Sequence, residues 1–344
     1  MADDAPREPI VDPVLAVVGL IVVAICAMAA LAGHFMQRDM ASKHKPFPNI
    51  TLQRDVIYVT GRKWPIVERI TEQPHLRMLE QTAGDIALIP NFASHLKPSP
   101  EVTILIHGFS APEQDLVSYF ADIVGVLKAE RPVGTSVVYD WPSTAVRFDM
   151  AVDIELRAMN SGGQNRGGLA YVIPTRQAGW ELAMYAGDRE KARGDGAPGL
   201  VRLISLIREH MRPGKLNIVA HSMGSYVVME AMRESPGQMK GLHHVVLLAP
   251  DLPIQALDAP TTKDVLATAA SVHVFHSRND VILGYSESAN RDKSLGRHGP
   301  PDAGRSTNVN AHDMTEALGT ADVHGKYLTR QMAREILAKT LLAR

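Results

Sequence analysis

Leu216-Asn217-Ile218-Val219-Ala220-His221-Ser222-Met223-Gly224 carries an apolar run into a tight turn, and an apolar helix pattern follows from Ser225. Leu216 to Val219 reads as a buried strand, while Tyr226, Val227, Met229, Ala231 and Met232 mark the buried side of the helix. A serine at the tip of such a strand-to-helix turn sits on strained backbone, and the residues two before and two after it must be small to clear neighbouring main chain. Ala220 and Gly224 fill those positions, with Ala220 departing from the usual glycine by one methyl group. Ser222 is therefore a candidate nucleophile. The plainer alternative is a serine N-cap in an ordinary strand-to-helix turn.

Working outward, strand and helix signals alternate from Asp55 in the manner of parallel βαβ units. Strands are expected at Asp55–Thr60, Val102–Ile106, Thr135–Tyr139, Val245–Leu248 and Val272–His276, beside the run leading to Ser222. Helices are expected at Glu113–Lys128, Gly199–Met211 and Lys326–Leu342. The fold class is α/β: a mostly parallel central sheet with helices on both faces. Ligands bind such sheets outside the carboxyl ends of the strands. The polar clusters His107-Gly108-Phe109, Asp140-Trp141-Pro142-Ser143, Ala249-Pro250-Asp251 and Ser277-Arg278-Asn279-Asp280 all fall at those ends.

A serine hydroxyl is a weak nucleophile, so acyl transfer needs a base, a carboxylate that fixes the base's tautomer, and donors for an oxyanion. In the chain order serine, acid, histidine, Asp280 is the favoured acid and Asp251, one strand earlier, the alternative. His324, just ahead of the terminal helix, is the favoured base and His312 the alternative; His298 lies in a Gly/Pro-rich surface loop. Oxyanion donors are expected from the backbone N–H of Met223 and of Phe109 or Ser110, where Gly108 lets the main chain approach closely. His107 and His221 read as structural hydrogen-bonding residues, because neither follows the acid.

Composition narrows the partners. With 36 basic against 37 acidic residues, and no basic run interleaved with aromatics, nucleic acid is excluded as an expected partner. The single cysteine, Cys26, precludes an intrachain disulfide, and no histidine spacing suggests a metal site. Ser161–Gly168 lacks the Lys-Ser/Thr ending of a phosphate loop. No cofactor is expected. Val14–Gly33 holds 20 residues without a charge, enough for a helix about 30 Å long and hence one membrane crossing. The acidic stretch before it does not suit a cleaved signal peptide, and Arg38, Lys43 and Lys45 after it favour a cytoplasmic catalytic domain. The expected organisation is a tail over 1–13, a transmembrane helix over 14–33, a linker over 34–52 and the α/β domain over 53–344. An insertion over 144–180 is either a lid above Ser222 or a passive surface segment.

The chain resembles the α/β-hydrolase superfamily, and within it a bacterial family of uncharacterised hydrolases grouped as a domain of unknown function. The resemblance covers about residues 55 to 340. It rests on Val59-Thr60-Gly61-Arg62, Ile106-His107-Gly108-Phe109, Trp141-Pro142-Ser143, Ala220-His221-Ser222-Met223-Gly224, Ala249-Pro250-Asp251, Ser277-Arg278-Asn279-Asp280 and the late histidine, with Tyr185, Asp188 and Ala192 ahead of the elbow strand. Ala220 and the long segment between Ser143 and Trp180 depart from the pattern. The resemblance implies a serine hydrolase fold and names no substrate. The expectation is a membrane-anchored serine hydrolase acting on a carboxylic ester or related small-molecule or lipid-like acyl compound. The rival is an inactive scaffold that keeps the fold for interaction at the membrane.

Overall fold

The computed structural model describes residues 51–62, 76–82, 86–109, 111, 116–131, 133–143, 185–301 and 306–342. The expected transmembrane helix over 14–33, nearly all of the linker and the insertion over 144–180 lie outside the described residues. Among the described residues, no helix is long and apolar enough to cross a membrane.

Nine strands form one sheet: β1 Val56–Thr60, β2 Arg77–Gln81, β3 Ile86–Pro90, β4 Glu101–Ile106, β5 Thr135–Asp140, β6 Lys215–His221, β7 His244–Leu248, β8 Ser271–His276 and β9 Val309–Asp313. Their spatial order is β3-β2-β1-β5-β4-β6-β7-β8-β9. From β1 to β9 every neighbouring pair is parallel. The strands β1 to β3 form an antiparallel meander at one edge, which corrects the expectation of parallel units from Asp55 onward. Strands β2, β3 and β9 were not read from the sequence. Each lies at or next to a sheet edge; β2 (Arg77–Gln81) and β9, with mostly exposed or half-buried residues, lack the continuous apolar run of a strand covered on both faces, whereas β3 (Ile86–Pro90) is a short apolar run that the sequence reading passed over.

Alternation along the strands divides the core into two layers. Val102, Ile104 and Ile106 of β4, Ile218 and Ala220 of β6, and Val245 and Leu247 of β7 join the main apolar cluster with Leu200, Leu203, Ile204, Val227 and Val228. Those partners belong to the helices Ala197–Leu206 and Gly224–Glu234, which pack on each other. The opposite parity, including Leu105, Val138, Val219, Val246 and Phe275, is equally buried. It faces the other layer, where the helices Ala121–Glu130 and Arg330–Lys339 pack together. The terminal helix is thus shorter than expected, and His324 sits before it in a separate helical turn, Val323–Lys326.

The chain runs from β4 outward to β5 and returns across β4 to β6. The strand order reverses at the carboxyl ends of β4 and β6, the place where ligand sites form in sheets of this kind.

Candidate active site

Strand β6 ends at His221, and the next residue, Ser222, adopts a left-handed φ of 53°. This conformation is rare for a residue with a side chain and is held by its surroundings. Ser222 N–H donates to Leu248 O at 2.9 Å, and Ser222 O accepts from Ser225 N–H at 3.0 Å and from Asp251 N–H at 3.2 Å. Gly224 is required here: a Cβ on it would lie 2.5 Å from the carbonyl oxygens of both Ile106 and His107. Gly108 is required as well, because its Cβ would come within 2.8 Å of Ser222 Cβ. Ala220, the departure from glycine, lies fully buried opposite Ile106 and Leu247. Its methyl group fits the sheet core.

Asp280 follows β8 and caps the helix Val281–Asn290, one oxygen accepting the Leu283 N–H at 3.0 Å. Its other oxygen accepts from His324 Nδ1 at 2.8 Å. The carboxylate is completely buried, whereas the His324 side chain keeps 16% of its exposure. Burial alone would lower the His324 pKa, but the charge and hydrogen bond of Asp280 outweigh it, with Asp251 and Asp322 adding to the rise. Holding the proton on Nδ1 leaves Nε2 as the nitrogen that can act as a base.

Asp251 also lies in this neighbourhood, after β7 and a left-handed Ala249 with φ 43°. One of its oxygens accepts from Tyr185 OH at 2.8 Å and the other from the Ser286 hydroxyl. Burial pushes its carboxyl pKa up, against the opposing effect of those two hydroxyls. Asp251 therefore acts on His324 through space, while the direct bond belongs to Asp280.

His312 lies in β9 opposite Phe275, its ring stacked on that of Phe275 at 4.3 Å and its Nε2 3.0 Å from His273 Nδ1. Strand pairing commits it to an imidazole contact on β8 and β9. His298 is taken by Glu287 at 2.8 Å.

Met223 opens the helical turn after the serine, and Phe109 follows Gly108 on the facing loop, with its ring 5.9 Å from that of Tyr185. The Gly108 N–H donates to Tyr119 OH at 3.0 Å. This removes it from the candidate oxyanion donors. Among the described residues, no group of three or more His, Cys, Asp or Glu side chains could hold a metal ion.

Two features escaped the sequence reading. One is a buried clamp. Arg62 Nε donates to both Asp140 oxygens at 2.8 and 2.9 Å, and its other nitrogens donate to Ser143 O and Ala111 O, each at 2.7 Å. Thr60 hydroxyl and His107 Nε2 complete the Asp140 shell at 2.7 and 3.1 Å. The clamp ties the loops after β1, β4 and β5 together. The other is Tyr119, whose hydroxyl lies 2.8 Å from His221 Nδ1. The sequence signals for the clamp were that Arg62, His107 and Asp140 fall at or just past strand ends and that His107 read as a structural hydrogen-bonding residue; Tyr119, at the end of a short helix, had none.

The chain is similar in structure to several solved proteins at low identity. The Pyrococcus furiosus esterase is 10% identical, with 86% of this chain and 99% of that one covered and a TM-score of 0.34. Carboxyl esterase 2 of the fungus Tuber melanosporum is 11% identical, covering 88% and 96%, with a TM-score of 0.33. TT1662 of Thermus thermophilus is 16% identical, covering 79% and 94%, with a TM-score of 0.34. No curated protein matches the chain. The family model described as alpha/beta hydrolase of unknown function, DUF900, matches residues 87–329, well over half of the chain, which therefore belongs to that family.

Proposed function

We propose that this protein is a serine hydrolase that cleaves a carboxylic ester or related acyl compound through an acyl-enzyme. Ser222 Oγ attacks the acyl carbon while His324 Nε2 takes its proton, and the backbone N–H groups of Met223 and Phe109 bind the oxyanion that forms. The bond to the leaving alcohol breaks as His324 returns the proton to it. Water, activated by the same imidazole, then splits the acyl-enzyme and regenerates Ser222. Asp280 keeps the imidazole in one tautomer and stabilises the imidazolium that forms in each half.

One observation carries the reading: Ser222 occupies a left-handed strand-to-helix tip directly after His221, whose ring lies 4.8 Å from that of His324, and the part-exposed His324 has its Nδ1 bound to a fully buried carboxylate at 2.8 Å. Ala220, which on sequence grounds left room for an inactive scaffold, is packed without distortion of the core pairing and does not favour that rival. A fluorophosphonate probe should label the purified protein, and Ser222→Ala should abolish labelling together with hydrolysis of p-nitrophenyl esters. Equal labelling of the variant would overturn the assignment. The proposal includes a membrane tether over Val14–Gly33, with the catalytic domain on the cytoplasmic side. Fractionation checks it: the full chain should sediment with membranes, and a chain lacking residues 1–50 should not.

A further inference from the structure

Four groups form a continuous hydrogen-bonded line across the site: Gly108 N, Tyr119 OH, His221 and the carbonyl of His324. The distances are 3.0 Å from Gly108 N to Tyr119 OH, 2.8 Å from Tyr119 OH to His221 Nδ1, and 2.9 Å from His221 Nε2 to His324 O. The direction of every bond follows from which atoms can donate. The His324 carbonyl only accepts, so His221 Nε2 must carry the proton. In the neutral ring Nδ1 is then the acceptor, and Tyr119 O–H must donate to it. The Tyr119 oxygen is left to accept the Gly108 N–H. Burial, followed by the neighbouring His324, lowers the His221 pKa to about 3, which favours this neutral tautomer near neutral pH.

The ends of the line identify its role. One end is the main chain immediately before Phe109, on the loop assigned the second oxyanion donor. The other is the main chain of the base itself. The middle is His221, the residue directly before Ser222, with its ring 4.8 Å from that of His324. A Cβ on Gly108 would sit 2.9 Å from Tyr119 OH, so the loop is pressed against the tyrosine as well as bonded to it.

Resting on the serine-hydrolase reading above, we infer that Tyr119 and His221 are positioning residues that lock the oxyanion loop, the nucleophile and the base into one register. Neither touches the reacting atoms. Bonds of this kind polarise one another along a chain, and a misplacement of about 1 Å at a reacting centre costs on the order of 100-fold in rate.

The test is Tyr119→Phe, which removes one oxygen and keeps the ring, with His221→Gln as a second variant that keeps a donor for the His324 carbonyl but offers Tyr119 no ring nitrogen. Active sites are counted by the endpoint of fluorophosphonate labelling, and kcat per labelled site and KM are measured on a p-nitrophenyl ester. Tyr119→Phe should lower kcat per labelled site by about 10- to 100-fold with KM changed less than about threefold; His221→Gln should do the same. A merely structural pair would instead reduce the number of labelled sites and leave kcat per site at the wild-type value, and that result overturns the inference. An unlabelled wild-type protein would overturn the serine-hydrolase reading itself, so the two failures are distinguishable.

Discussion

Among the described residues, two buried aspartate–histidine pairs lie at strand ends, and their surroundings set them apart. Asp140 and His107 lie 3.1 Å apart with each 1% exposed, whereas Asp280 and His324 lie 2.8 Å apart with 0% and 16% exposure. Distance does not separate them; the surroundings do. Asp140 is shared with Arg62, and both nitrogens of His107 face acceptor oxygens, one on Asp140 and the other on Gly108. His107 also stacks on Trp141, whose indole N–H donates to the His107 carbonyl at 2.8 Å. That imidazole has no nitrogen with which to take a proton from a nucleophile. His324 spends one nitrogen on Asp280 and keeps part of its ring at the surface. A buried carboxylate next to histidine is thus a clamp when a cation closes the shell, whereas in the proposed mechanism it serves a base whose second nitrogen stays available.

The largest effect that would break this comparison comes from Asp280→Asn. The amide oxygen can still accept the Leu283 N–H, so the cap persists, but the Nδ1 tautomer loses its anionic partner. Activity should fall on the order of 10,000-fold, with the thermal midpoint nearly unchanged. Asp140→Asn should do the opposite. It leaves the Arg62 guanidinium buried among carbonyls without its counter-charge, and removing one partner of a buried ion pair costs about 3–5 kcal/mol. Urea denaturation should show that loss, while activity per labelled site stays within about tenfold of wild type. A rate collapse in Asp140→Asn without loss of stability would make the clamp a second catalytic pair and end the distinction.

How much of this was legible in the sequence follows from the same contrast. Strands β4 to β8 are covered on both faces, so their apolar runs announced them, as did that of β1; β2 and β9 lie at or near the edges and lack that pattern, and the short apolar run of β3 was passed over. Ser222, Asp280 and His324 stood out as candidates because the proposed chemistry dictates their types and their order along the chain, and the structure brings the last two into direct contact. Arg62 and Asp140 are 78 residues apart and Tyr119 and His221 are 102 apart. No periodicity links side chains over such separations; only the convergence of strand ends does. Choosing His324 over His312 depended on the loop before the terminal helix, and the deciding fact, that His312 is held within a strand, lay in an edge strand too polar to read.

The pH dependence sharpens the comparison further. His324 must be neutral to accept the serine proton, and Asp280 raises its pKa above the ordinary 6.5 despite burial. The acid limb of kcat/KM should therefore have its midpoint above 6.5, measured on an ester whose own ionisation does not change in that range. A midpoint below 6.5 would mean that burial outweighs the carboxylate.

The smallest effect concerns Asp251, which raises the His324 pKa through space without bonding to it. Asp251→Asn keeps the volume and one acceptor near Tyr185 and Ser286, leaving one of the two hydroxyls to turn and accept from the new amide N–H, but removes the charge. Less favourable charge around the imidazolium means that the proton leaves at lower pH, so the acid limb should move downward while kcat on the plateau changes little. If Asp251 were the orienting acid, the plateau itself would collapse as it should for Asp280→Asn. The two substitutions together decide whether the serine's histidine is governed by one carboxylate in contact, with a second as background field, or by both in equal measure.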